Sequence, residues 1–522
     1  MKIVCLPLDA RPYNYDFLQS LAPMDSQLTL VMPPRDLLGF RKTPAHFAAL
    51  TAFIEAHMAG ADALILSLDM LIYGGLLPAR THHLTPEALH ARLDWLRQLH
   101  QRYPAVEISA SSLILRTPAY DSAEEEPDYY VHCGRAIWQY GIYRDRDAQG
   151  LLTAEEQLEY QRLAAELDSA ARTDFEQRRQ HNIAVTQAAL ELVTDGVLAC
   201  LLIPQDDASP FGYTAMDQRQ LYRAIAANRL QDRVWLHPGT DESGCTLLTR
   251  AWLTRQPTRL KFAVCWSNQA FRQFVPEYED RPFEESLLSH SRACGIALCD
   301  DQANADALLG INGCGEVMQE GWMQQNNKAL SYYRNRSLTA FCDTLASWIG
   351  GKPVGIADVA FSNGGERELI EMLDHHRLLD RLSAYAGWNT ACNTLGTVLA
   401  ALAFACRGDR PQQARNFMLE RLVSDWAYQS EVRFAVQETV LPALGASYAQ
   451  FGKHEAAILA TIATRVKQCW QQTLHNSFSG QQLVIDEVRA PFKRMSGLAF
   501  TVSLKPHHRP AVIKGCLCRS VR

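Results

Sequence analysis

No window of this 522-residue chain reaches the ~18 uninterrupted apolar residues of a membrane span. The longest candidate, 394–405, has only the length of a buried helix. The opening MKIVCLPLDARP lacks the shape of a secretory leader, because its apolar stretch is short and runs into Asp9 and Arg11. Charge imbalance is also slight. Lys and Arg number 51 against 57 Asp and Glu, a net charge of −6, which leaves no basic excess to bind nucleic acid by bulk electrostatics. The 14 cysteines follow no disulfide framework, and Cys5, Cys200 and Cys265 sit inside apolar runs where a reduced thiol acts as a small hydrophobe. A reduced, cytoplasmic protein is the expectation. Neither Cys294/Cys299 nor Cys516/Cys518 has a second pair or histidines at zinc spacing, and His507-His508 lacks a carboxylate or cysteine partner, so neither a metal nor a cofactor is expected. GxSxG and HExxH are absent, and the glycine-rich 312–316 turn matches no phosphate-binding fingerprint.

What the chain does have is a repeated pattern of buried strands that end in polar groups. The clearest is 197–212, VLACLLIPQDDASPFG: an apolar run to Ile203, then Gln205, Asp206, Asp207 and Ser209. In parallel α/β proteins ligands bind at such carboxyl ends. Two adjacent carboxylates there are costly to desolvate unless something pairs with them, although either alone could cap the following turn. The pattern recurs. Strand 2–8 ends in Asp9 and Arg11, and 63–68 ends in Asp69, followed by Tyr73, a Gly74-Gly75 pair that lets backbone approach a ligand, and Arg80. Strand 234–237 ends in Gly239-Thr240-Asp241-Glu242, and 354–360 ends in Ser362-Asn363-Gly364-Gly365. The run Glu124–Glu126 reads as a solvated face. Further on, Trp388-Asn389 enters a helix, and the spacing places Trp426, Gln429 and Arg433 near one helical face.

About ten strands alternating with helices predict an α/β fold of largely parallel sheets, barrel-like or doubly wound, with a mostly helical C-terminal region. The expected organisation is an α/β domain over 1–255 with a helical insertion near 152–193, a second α/β module over 256–368, the helical region over 369–505, and a disordered tail over 506–522. Late strands are expected at 483–488 and 499–504.

Leu6-Pro7-Leu8-Asp9-x-Arg11-Pro12, Ser67-Leu68-Asp69-Met70 with Tyr73-Gly74-Gly75 and Arg80, Gln205-Asp206-Asp207, Gly239-Thr240-Asp241-Glu242 and Tyr385-Ala386-Gly387-Trp388-Asn389-Thr390 together resemble a bacterial family of unknown function, DUF 4127, over nearly the whole chain. Ala10 and the segment after Pro491 depart from the pattern. The resemblance implies a bacterial protein of about this size and carries no activity. The inventory of carboxylates, amides and aromatics is that of a carbohydrate-active site. The expectation is a hydrolase for a sugar-like small molecule. Asp206 or Asp207 would be one catalytic carboxylate and Asp241 or Glu242 the other. Asp9, Arg11, Asp69, Tyr73, Arg80 and Asn389 would bind hydroxyls or an anionic substituent, and Trp388 would stack on a ring. Two alternatives stand beside it: a divalent cation on Asp9, Asp69 and Asp207, or a sugar-binding protein without turnover.

Overall fold

The computed structural model describes residues 1–506; the expected tail, with His507, His508, Cys516 and Cys518, lies outside the described residues apart from Pro506. Apolar runs of five or six residues, bounded by turn-forming residues, form strands buried on both faces. Six strands make the first sheet: β1 (Lys2–Leu6), β2 (Thr29–Val31), β3 (Ala63–Ser67), β4 (Glu107–Ser111), β5 (Cys200–Gln205) and β6 (Val234–Pro238), of which β2 is a three-residue, partly exposed edge strand. Their order is β2-β1-β3-β4-β5-β6, with every neighbouring pair parallel.

A second parallel sheet follows, built from β7 (Lys261–Trp266), β8 (Ala297–Leu298), β9 (Ala307–Gly313), β11 (Val354–Val359) and β13 (Ala384–Ala386) in the order β13-β11-β9-β7-β8. Between them, β10 (Gln319–Glu320) pairs with β12 (Phe361–Ser362). Numbered from its own first strand, each sheet reads 2-1-3-4-5, the first adding one more strand at its far edge. The chain therefore winds twice in the same sense, as two doubly wound modules. Both sheets are open, so the barrel alternative does not apply. The last strand of the second sheet, β13, lies beyond residue 368, the expected end of that module.

Helices cover the sheets. Pro86–Arg102 starts where the Thr85 hydroxyl accepts from Ala88 N–H with Pro86 at the first helical position. The 152–193 stretch forms Ala154–Glu166, opened by a Thr153/Glu156 capping box, and Ser169–Thr194. The apolar 394–405 stretch lies inside Ala391–Arg407, whose first fourteen residues are all buried because the helix is wedged between the second sheet and the helices Ser243–Leu253 and Phe283–Cys294. Trp252 and Phe404 stack there at 4.1 Å, and the indole N–H of Trp252 donates to Asp25 at 2.7 Å. Truncating either buried ring to alanine would cost about 3–5 kcal/mol. Downstream of Pro411 the chain is helical until the antiparallel hairpin β14 (Gln481–Arg489) and β15 (Ala499–Pro506). Among the described residues no helix is long and apolar enough to cross a membrane.

Candidate functional site

The carboxyl ends of both sheets open into one polar cavity of about 180 Å3. The first sheet contributes Arg11 and Tyr13 after β1, Leu76 and Arg80 after β3, Arg116 and Glu125 after β4, Asp206 and Asp207 after β5, and Asp241 after β6. The second contributes Asn363, Trp388 and Asn389. The C-terminal region closes the cavity with Gln429, Arg433, Tyr448, Arg494 and Ser496. Its size is below the roughly 300–1,000 Å3 of pockets for drug-sized ligands, so it suits a small, strongly polar group.

Two ion-pair clusters build the walls. In the first, the Arg11 guanidinium donates to Asp9 at 2.7 Å and to both oxygens of Asp241 at 2.6 and 3.2 Å. The Asn14 amide bridges the same two carboxylates at 3.1 and 3.0 Å. Burial pushes the Asp241 carboxyl up to about 6, against the pull of Arg11 and with the help of Asp9. In the second, Arg80 donates to Asp206 at 2.5 Å and to Glu126 at 3.1 Å, while Arg116 donates to Glu126 at 3.0 Å, Glu125 at 2.7 Å and Asp207 at 3.2 Å. Arg494 also donates to Glu125. Burial opposes ionisation of Glu125, but the guanidiniums of Arg116, Arg494 and Arg80 hold its carboxyl well below the usual range. The Asp207 carboxyl, under weaker restraint and beside Asp206, is raised by burial.

The modules touch directly across this site. The Asn389 amide donates to Asp241 at 3.4 Å, and Asp241 N–H donates to the Asn393 side chain at 2.9 Å. Three lining residues other than glycine have left-handed backbone: Asp207 (φ 46°), Asn363 (φ 56°) and Asn389 (φ 53°). Each such residue costs of order 1–3 kcal/mol, somewhat less for Asn and Asp, and such strain concentrates at ligand sites. Gln429 lies on a π-helical segment, Leu422–Val432, that leads into Arg433. Buried atoms of three lining residues, Arg80 Nε, Gln429 Oε1 and Arg494 Nε, have no hydrogen-bond partner among the described residues. Arg433 makes no ion pair among the described residues, unlike Arg11, Arg80, Arg116 and Arg494.

Of the residues expected from sequence, the structure brings Asp206, Asp207, Asp241, Arg11, Arg80, Trp388 and Asn389 to this cavity. Asp9, Asp69, Tyr73 and Glu242 are not among its lining residues. Asp9 stands behind Arg11. Asp69 is buried against Leu113 N–H at 3.1 Å, with its carboxyl raised to about 7 by burial. Tyr73 stacks on His82 at 4.6 Å, away from the cavity. Glu242 turns into the interior toward His290. Trp388 is 3% exposed, and Tyr13 lies parallel to its indole at 4.4 Å. A Cβ on Gly74 would meet Ala45 N at 2.6 Å, so the close approach made by that glycine is to the chain itself, not to a ligand. Glu124 is exposed, as the solvated-face reading of Glu124–Glu126 expects, but Glu126 is 1% exposed and Glu125 half-buried, because arginines draw both inward. Asp9, Asp69 and Asp207 do not form a metal-ligand group; among the described residues the one such group is His237, Glu242 and His290.

Sequence reasoning left Tyr448, Arg494 and Ser496 out. Tyr448 lies between helices and the other two on the loop between β14 and β15, with no strand-end signal of their own. The nearest local sign is Gly497, whose φ of 73° and close approach to the Tyr13 hydroxyl set that loop over the cavity. A family model described as "Protein of unknown function (DUF4127)" matches residues 3–504. No curated protein matches the chain.

Proposed function

We propose that this chain, which belongs to the DUF4127 family, is a hydrolase acting on a small carbohydrate or glycoside that carries an acidic group. One observation carries the reading: Asp207 and Asp241 line a single small cavity with Asn363, Asn389 and Arg433, whose guanidinium makes no ion pair among the described residues. In this reading Asp207 is the proton donor to the leaving oxygen. Its carboxyl is raised by burial and is the less tightly held of the two. Asp241 is the fixed carboxylate, oriented by Arg11, Asn14 and Asn389, that attacks the sugar carbon or activates water. The amides of Asn363 and Asn389 take hydroxyls, and Arg433 takes the acidic substituent. The other guanidiniums position carboxylates and are already paired.

The test is a panel of chromogenic glycosides, uronides included, assayed with wild type, Asp207→Asn and Asp241→Asn. At least one member is expected to be hydrolysed, and each variant is expected to lower kcat/KM by about 100-fold or more. Stabilisation of the wild type by panel members with no turnover of any would assign a binding protein instead. Turnover unchanged in both variants would refute the carboxylate roles.

A further inference from the structure

Directly behind Asp241, on the side away from the cavity, lies a fully buried group that the proposed hydrolysis does not use. His237 is on β6, Glu242 precedes the helix Ser243–Leu253, and His290 is on the helix Phe283–Cys294. All three have 0% exposure, and one ligand atom from each lies within 4.8 Å of the others.

Hydrogen bonding fixes the tautomers. His237 Nδ1 is 2.9 Å from the Pro238 carbonyl and His290 Nδ1 is 2.8 Å from the Ser286 carbonyl. A carbonyl can only accept, so each Nδ1 carries the proton and each neutral ring keeps its lone pair on Nε2. Burial favours those neutral rings, lowering His290 to about 4 and His237 well below its ordinary value. His290 Nε2 faces Glu242 Oε1 at 3.1 Å. That is close to the ~3.3 Å edge expected between two ligands of a tetrahedral ion with bonds of ~2.0–2.1 Å.

Hydrogen bonds alone do not complete this arrangement. A protonated Glu242 could donate to one imidazole. His237 Nε2 and Glu242 Oε2 would still be buried acceptors without a donor, and both lack any partner among the described residues. No Lys or Arg hydrogen-bonds to Glu242 among the described residues. The carboxylate is also closely seated: a Cβ on Gly239 would fall 2.4 Å from its Oε1, and one on Gly396 would fall 2.3 Å from its Cγ.

We propose that His237, Glu242 and His290 hold a divalent first-row transition-metal ion, zinc by the character of the donors, with the Pro238 and Ser286 carbonyls orienting the two imidazoles. Two neutral imidazoles and a carboxylate suit zinc and its neighbours and do not suit calcium or magnesium. Complete burial makes the site structural. The ion fixes the 237–242 turn on which Asp241 is presented and pins the helix Phe283–Cys294 against it. This inference concerns the interior face of that turn and does not depend on what the cavity binds.

The experiment is elemental analysis of untagged, full-length protein, produced in media supplemented in turn with zinc, manganese, iron, cobalt and nickel and purified without chelators. The expected result is about one equivalent of zinc per chain, with X-ray absorption showing a first shell of two imidazole nitrogens and carboxylate oxygen. Less than about half an equivalent of any metal in every preparation overturns the proposal and leaves a buried Glu–His hydrogen bond. A bound metal whose first shell lacks imidazole overturns it too. In His290→Gln, metal content is expected to fall at least about five-fold. Retention of metal by that variant refutes the assignment, and if the variant does not fold, the wild-type absorption spectrum decides.

Discussion

Replacing Arg11 with methionine keeps most of the side-chain volume and removes the charge that serves both Asp9 and Asp241. The arginine side chain is 10% exposed and each carboxylate 7%, so water is poorly placed to take its role. Breaking a buried pair by deleting one partner costs about 3–5 kcal/mol, because a buried charge is left uncompensated. Unfolding entropy of about 2.1 cal/mol/K per residue gives roughly 0.5–1 kcal/mol/K for a cooperative unit of about 250–500 residues, so Tm is expected to fall by about 3–10 °C. The diagnostic step is a double-mutant cycle, followed by calorimetry at neutral pH. Asp241→Asn removes one of the stranded charges, so Arg11→Met combined with Asp241→Asn should be less destabilised than the sum of the singles by about 1 kcal/mol or more. Additive effects, or an Arg11→Met variant that melts with the wild type, would show that the ends of β1 and β6 are not joined through this guanidinium.

Gly396→Ala raises helix propensity yet is expected to destabilise by about 1–3 kcal/mol in urea unfolding, because the new Cβ would sit 2.3 Å from Glu242 Cγ; a neutral or stabilising effect would contradict the close seating of that carboxylate. Asp69 has its carboxyl raised to about 7, above the ~3.9 of an unfolded aspartate, so the native state binds the extra proton and stability falls as pH rises between those two values, by up to about 4 kcal/mol. Asp69→Asn lacks that loss, so its Tm relative to wild type should climb between about pH 5 and pH 8; a constant difference across that range would refute the assignment.

The strand ends were readable because each couples an unbroken apolar run to an abrupt polar stop, as at Ile203 to Asp206 or Leu236 to Asp241. That pattern follows from burying both faces of a parallel sheet while leaving its carboxyl edge to a ligand. The direction in which neighbouring acids point was not readable. Asp241 and Glu242 are adjacent, yet one meets Arg11 and the other His290, a choice made by the turn at Gly239 and by the helix packed behind it. Nor does local pattern tell a solvated acid from a paired one. Glu126 sits in a run of three glutamates and is buried where Arg80, from the helix after β3, and Arg116, ten residues earlier on the same loop, converge on it. An α-helical period puts Trp426, Gln429 and Arg433 near one face, but the segment Leu422–Val432 is π-helical. The His237–Glu242–His290 group escaped notice because its members are 5 and 48 residues apart and match no ligand-spacing motif.

The central claim is that the carboxyl ends of both sheets build one ligand site. Its most direct measurement is a calorimetric titration of the glycoside that most stabilises the wild type into wild type, Asp207→Asn and Asn389→Leu, one variant for each module. Each substitution is expected to weaken binding by about ten-fold or more, roughly 1.4 kcal/mol. Unchanged affinity in either variant would mean that the ligand engages one module alone, and the shared-cavity account would fail.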